Sequence, residues 1–79
     1  MSKRFPVVTY RDAIKIAKKL DFYFCRYAKG NHEIWRRDSD SRQTTIPNHG
    51  KKAIKRRTVK SILRDFQISV GEFRKILKK

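Results

Sequence analysis

The fold is decided by one stretch, Phe22-Tyr23-Phe24-Cys25-Arg26-Tyr27-Ala28-Lys29-Gly30-Asn31-His32-Glu33-Ile34-Trp35-Arg36-Arg37. Its first six residues are mostly aromatic, and the same extended character resumes at Ile34. Between the two runs, Lys29-Gly30-Asn31 has the composition of a turn. The stretch therefore predicts a β-hairpin in which residues 22–27 pair with residues 32–37.

A two-residue loop at Lys29-Gly30 predicts the register of this hairpin. It places Arg26 opposite Glu33, so that the two can form an ion pair. The remaining predicted pairs are Tyr27 with His32, Cys25 with Ile34, and Phe24 with Trp35. Both faces of such a hairpin carry aromatic residues, so alternation does not show which face the helices cover. A three-residue loop would change the pairing.

The chain on either side of the hairpin predicts a helix and a third strand. Thr9 and Asp12 have the spacing of a capping box, and apolar residues then recur at helical intervals, which predicts a helix from about Tyr10 to Leu20. Arg42–Ile46 is rich in β-branched residues and ends at Pro47, which predicts a short strand. The three strands would form an antiparallel meander.

Two amphipathic helices are predicted in the last third of the chain. Thr58 is the predicted N-cap of the first, and Ser69 with Glu72 forms a capping box for the second. The predicted order is α-β-β-β-α-α, an α+β fold with a three-stranded antiparallel sheet and helices packed on one face. We expect a single domain over residues 1–79, with residues 1–8 as a short lead-in.

The charge of the chain limits its possible partners. Its 22 Lys and Arg against 7 Asp and Glu give a net charge of +15, which favours a polyanionic partner such as nucleic acid. No apolar run approaches the ~20 residues that span a bilayer, and the start lacks the apolar core of a signal peptide. We therefore expect a cytoplasmic protein that does not enter membranes. Cys25 is the only cysteine, which excludes an intramolecular disulfide.

The two histidines are the candidates for proton transfer, because imidazole has the side-chain pKa nearest neutrality. His32 follows the predicted turn, and His49 lies in the loop after the third strand. A histidine in such a place is often simply solvated, and whether the two meet is left open by the sequence. Two histidines without a nearby carboxylate at ligand spacing do not form a zinc site, so no metal or cofactor is expected.

A basic cluster just before and at the start of the second predicted helix is a candidate RNA-binding surface. A run of charge is often only a solvated face, but at this net charge contacts to a phosphate backbone are favoured. Its members are Lys51, Lys52, Lys55, Arg56, Arg57 and Lys60. Lys29 at the turn is a further candidate phosphate contact. Tyr23, Tyr27 and Trp35 are candidates for stacking on bases, or equally for the core.

Several of these motifs, in this order, resemble the HicA toxin family. They are Lys29-Gly30-Asn31-His32, Ile46-Pro47-Asn48-His49, Thr58-Val59-Lys60-Ser61-Ile62-Leu63-Arg64 and Ile68-Ser69-Val70-Gly71-Glu72-Phe73. The family's Gly-Ser-His motif falls on Gly30-Asn31-His32, so Asn31 stands in place of serine. Glu33 stands where a second histidine is frequent.

The resemblance implies a fold similar to a double-stranded-RNA-binding domain and a metal-independent endoribonuclease that cleaves mRNA. It implies His32 as the catalytic acid or base, with RNA contacts from Lys29, Gly30, Asn31 and the basic cluster, and His49 as a possible second acid or base. The implied partners are mRNA and a HicB-type antitoxin. The alternatives are a non-catalytic RNA-binding module with the same fold, and a DNA-binding accessory protein.

Overall fold

A computed structural model describes residues 6–77, which form one helix, three antiparallel strands and two further helices. The elements are α1 (Tyr10–Lys19), β1 (Tyr23–Tyr27), β2 (His32–Arg37), β3 (Arg42–Pro47), α2 (Arg56–Phe66) and α3 (Val70–Leu77). The strands form one open sheet in the order β1-β2-β3. The predicted α+β class and order of elements are confirmed. Of the predicted lead-in, residues 1–5 lie outside the described residues.

Both predicted capping boxes are present. The Thr9 hydroxyl accepts the Asp12 N–H at 3.4 Å, and the Asp12 carboxylate accepts the Thr9 N–H at 3.2 Å. At the start of α3, Ser69 and Glu72 exchange the same two hydrogen bonds at 3.0 and 2.9 Å. These bonds satisfy backbone donors that have no partner inside the helix.

The predicted N-cap of α2 is wrong. The helix begins at Arg56, and Lys55 is its N-cap, without a capping hydrogen bond from the side chain. The physical reason is the anchoring of the preceding residue: Ile54 is buried, and its N–H donates to the Val8 carbonyl at 2.7 Å. This bond keeps the backbone extended at Ile54, and the helix begins two residues later, at Arg56. Thr58 therefore lies inside the first turn.

The hairpin register differs from the prediction because its loop has three residues and β1 contains a bulge. Phe24 pairs with Trp35 as predicted, but Arg26 pairs with Ile34 and Tyr27 pairs with Glu33. Cys25 is the extra residue between these two registers. The predicted pairs Tyr27 with His32 and Cys25 with Ile34 are wrong, and so is the Arg26–Glu33 ion pair, because Arg26 lies opposite Ile34 instead.

The core lies between one face of the sheet and the three helices. Trp35 and Ile46 supply the sheet side, and they pack with buried residues of α1, α2 and α3. Phe22 and Phe66 are 2–3% exposed, with ring centroids 5.0 Å apart. Since directly paired residues share a face, Tyr27 lies on the helix side with Trp35, whereas His32 lies on the opposite face. We call these the inner face and the outer face.

Candidate functional site

His32 is the first residue of β2 and is exposed to solvent. The tight loop before it, Lys29–Asn31, is closed by hydrogen bonds from the Ala28 N–H to the His32 carbonyl at 2.8 Å and from the His32 N–H to the Lys29 carbonyl at 3.4 Å. Gly30 has φ +67°, a backbone conformation that side chains disfavour. The turn thus fixes the backbone of His32 at one end of the sheet.

The two histidines line one cleft. The cleft has a volume of about 480 Å³ and lies where the start of β2, the end of β3 and the start of α2 meet. Its lining residues are His32, Pro47, His49, Lys52, Ala53, Lys55 and Thr58. The sequence alone did not show whether His49 lies near His32. In the structure, both imidazoles and the ammonium groups of Lys52 and Lys55 border the same open space.

The loop that carries His49 is bound to the turn that carries His32. Pro47 pairs with His32 across the sheet, and the next residue, Asn48, donates its backbone N–H to the Asn31 carbonyl at 2.9 Å. The Asn48 side-chain oxygen then accepts the Gly50 N–H at 3.2 Å, which closes a short turn around His49. The backbone on both sides of the cleft is held by these bonds.

A buried carboxylate, Glu33, follows His32 in β2 and lies on the inner face. Glu33 is 4% exposed, and its oxygens accept hydrogen bonds from the Tyr10 hydroxyl at 2.9 Å, from Trp35 Nε1 at 2.9 Å and from Asn48 Nδ2 at 3.4 Å. Burial, together with the hydrogen bond to Glu33, raises the pKa of Tyr10 to about 12. The Tyr10 hydroxyl therefore stays protonated at neutral pH and remains a donor to Glu33.

The predicted RNA contacts divide into two groups. Lys52 and Lys55 line the cleft. The others are exposed but do not appear in its lining, and Arg56 and Lys60 make further interactions of their own; the group comprises Lys29, Gly30, Asn31, Lys51, Arg56, Arg57 and Lys60. The first turn of α2 contains no acidic residue. The positive end of the helix dipole therefore adds to the charge of the two lysines beside the cleft.

The three aromatic candidates for base stacking have different surroundings. Trp35 is 4% exposed and bonded to Glu33, so it belongs to the core and does not stack on bases. Tyr27 is 70% exposed, but its pairing with Glu33 places it on the inner face, away from His32. Tyr23 is 43% exposed and pairs with Arg36, at the far end of β2 from His32.

Two further findings concern metals and membranes. Between Pro6 and Leu77 there is no group of three or more His, Cys, Asp or Glu residues placed to hold a metal ion. Within the same range, no helix combines the length and the apolar character that crossing a bilayer requires.

The role of Asn48 was missed by the sequence analysis. An asparagine between proline and histidine looks like an ordinary loop residue, and its partners Asn31 and Glu33 are distant in sequence. The available signal was the turn chemistry of asparagine, whose side chain bonds the backbone two residues later. That signal predicts the bond to Gly50 and says nothing of the other two.

Comparison with known proteins agrees with the resemblance seen in the motifs. A family model described as the HicA toxin of bacterial toxin-antitoxin systems matches residues 10–68, which include all three strands, α1 and α2. A search of curated proteins found no match. The matched region covers most of the chain and contains both histidines of the cleft. The chain therefore belongs to the HicA toxin family of bacterial toxin–antitoxin systems.

Proposed function

We propose that this HicA-family protein is an endoribonuclease that cleaves mRNA in the cytoplasm and is neutralised by a HicB-type antitoxin. The observation that carries the proposal is the cleft in which His32 and His49 lie with Lys52 and Lys55. Two imidazoles supply both proton transfers that RNA cleavage needs, and two cations supply the charge stabilisation.

The proposed reaction is an attack of the RNA on itself. One imidazole accepts the proton of a ribose 2′-hydroxyl, and the 2′-oxygen forms a bond to the adjacent phosphorus. The bond from phosphorus to the 5′-oxygen breaks, and the other imidazole gives its proton to that oxygen. The products are a 2′,3′-cyclic phosphate and a 5′-hydroxyl. His32 is one of the two groups, and His49 is the candidate for the other.

In the proposed reaction, the two lysines that line the cleft have a different role from the histidines. Charge accumulates on the non-bridging oxygens of the phosphate in the transition state, and we assign its stabilisation to Lys52 and Lys55 because both line the cleft. The remaining basic residues, including Lys29 on the turn and Arg57 in α2, would hold the RNA backbone on either side. An antitoxin that covers this surface should present acidic groups, because burying so many cations against a neutral surface is unfavourable.

The proposal is tested by a cleavage assay with purified protein and RNA in the presence of EDTA. We expect cleavage to continue with the chelator, because no step of the proposed reaction uses a metal. An RNA with a single 2′-deoxy nucleotide at the cleavage position should bind with unchanged affinity and remain uncut. Loss of activity in EDTA would contradict the proposed chemistry. RNA binding without any cleavage would instead support a non-catalytic RNA-binding module.

Neutralising both cleft lysines should weaken RNA binding in a salt-dependent way. For Lys52→Ala with Lys55→Ala, we expect the slope of log affinity against log salt to fall by about 2, since each phosphate contact contributes about 1. The maximal cleavage rate should also fall, because both groups border the histidines.

The matched control is Lys19→Ala with Lys75→Ala, which removes the same charge from exposed positions that do not line the cleft. Affinities are measured by fluorescence anisotropy from low to high salt. If the control pair lowers the slope and the rate as much as the cleft pair does, the cleft has no special part in binding RNA.

A further inference from the structure

Asn48 is bound by both residues that flank His32 in the sequence. Its backbone N–H donates to the Asn31 carbonyl at 2.9 Å, and its side-chain Nδ2 donates to Glu33 Oε2 at 3.4 Å. Asn48 is also the residue immediately before His49. One asparagine thus connects the neighbours of one histidine to the neighbour of the other.

The backbone N–H of Asn48 and both polar atoms of its side chain form hydrogen bonds. In addition to the two donors above, its Oδ1 accepts the Gly50 N–H at 3.2 Å. Only an amide side chain offers a donor and an acceptor together at this length. Alanine would lose both side-chain bonds, and aspartate would keep the bond to Gly50 while placing a second carboxylate against Glu33.

The Glu33 side chain, which accepts the hydrogen bond from Asn48, is itself held in one orientation. Its carboxylate is buried and is oriented by Tyr10 from α1 and by Trp35 from the same strand, both of which donate to Oε1 at 2.9 Å. The Tyr10 hydroxyl also lies 2.9 Å from Oε2, and Oε2 accepts the hydrogen bond from Asn48 Nδ2 at 3.4 Å. Each of these donors is neutral, and a buried anion held only by neutral donors needs all of them, because each lost hydrogen bond leaves desolvation uncompensated.

We infer that Glu33 and Asn48 are positioning residues that hold His49 and its loop in register with His32 across the cleft. This inference rests on the proposed ribonuclease function and deepens it, since it names the contact that keeps the two proton-transfer groups together. Neither residue touches the reacting atoms. Their effect passes through the backbone of residues 47–50, and a small misplacement of a catalytic group is enough to slow a reaction about 100-fold.

The test is an exchange of donor and acceptor between the two residues. In Asn48→Asp alone, two carboxylates face each other at the distance now bridged by a hydrogen bond, and they repel. In Glu33→Gln alone, two amide NH₂ groups compete for the same space. In the double variant, the new glutamine donates to the new aspartate, while its oxygen still accepts from Tyr10 and Trp35. The contact between residues 33 and 48 is then restored with donor and acceptor exchanged, and the bonds donated by Tyr10, Trp35 and the Gly50 N–H keep their direction.

We expect each single variant to lower kcat for RNA cleavage by about 10- to 100-fold with little change in KM, and the double variant to recover most of the loss. The matched control is Thr44→Val, which removes a part-buried side-chain hydrogen bond to Asp65 in α2, 2.8 Å long, on the same face of the sheet but without a contact to Asn48 or Glu33. It should lower the melting temperature without lowering kcat. Single variants that lose only stability, or a double variant that recovers nothing, would overturn the inference.

Amide hydrogen exchange measures the same connection without RNA. The Asn48 N–H should be protected in the wild type, exchange faster in Asn48→Asp, and be protected again in the double variant. If the wild type does not cleave RNA, the proposed function fails while this measurement still decides whether the two residues hold the loop. If the wild type cleaves and Asn48→Asp keeps full kcat, the function stands and the positioning role is refuted.

Discussion

The variant His32→Ala is expected to cleave RNA with a kcat lower by about 10²–10⁴-fold, the usual contribution of a positioned acid or base. RNA affinity and its dependence on salt should stay within about twofold, because the cations beside the cleft are untouched. Stability should also be nearly unchanged, since the side chain of His32 is exposed. The rate is measured on a short RNA in single turnover, and affinity is measured on the uncleavable 2′-deoxy analogue.

His49→Ala gives this experiment its internal comparison. If the two imidazoles act as a pair, the double variant should lose little more activity than His32→Ala alone, because groups that act as a unit are not additive. Full activity in His32→Ala would rule that residue out as the acid or base. Full activity in His49→Ala would leave His32 to act with a different partner.

Replacing Phe66 by alanine is expected to lower the free energy of unfolding by about 3–5 kcal/mol, the usual effect of removing a buried aromatic side chain. Phe66 is 2% exposed, packs on Phe22 and is the last residue of α2. The first turn of that helix contributes Thr58 to the cleft. Loss of this contact in the core should therefore reduce cleavage as well, in proportion to the fraction of protein that unfolds.

Urea denaturation followed by circular dichroism measures the effect. The control is Phe24→Ala, a residue of the same size that is 41% exposed, for which we expect only about 1–2 kcal/mol. A loss at Phe66 no greater than the loss at Phe24 would contradict the burial of Phe66 in the core. Total stabilities of domains are about 5–15 kcal/mol and small domains lie near the lower end, so a loss of this size should leave the Phe66 variant partly unfolded at growth temperature.

Local sequence signals predicted the elements of this fold well. The two capping boxes and the apolar spacing of the helices depend on residues three or four apart, and these contacts form whatever the rest of the chain does. The class and order of elements followed from them. The start of α2 was missed because it depends on the bond between Ile54 and Val8, which are far apart in sequence.

The site was predicted less completely, for the same physical reason. His32, Lys52 and Lys55 were named from their chemistry, and His49 remained a possibility. What the sequence could not show is which face of the sheet each residue occupies, because a bulge of one residue reverses the faces on one side of it. The partner of Glu33 across the hairpin was misassigned because the loop has three residues where two were predicted, and its bond to Asn48 joins residues far apart in sequence.

The bulge at Cys25 also affects how copies of the toxin meet one another. β1 is an edge of the sheet, all five of its residues are exposed, and three of them are aromatic. An edge strand of this kind without a bulge could pair with a second copy through backbone hydrogen bonds, which is a first step of aggregation. The extra residue interrupts the ladder in the middle of the strand, and Arg26 beside it adds a repelling charge. The same irregularity that turns Tyr27 toward the helices therefore helps to keep the free protein dispersed.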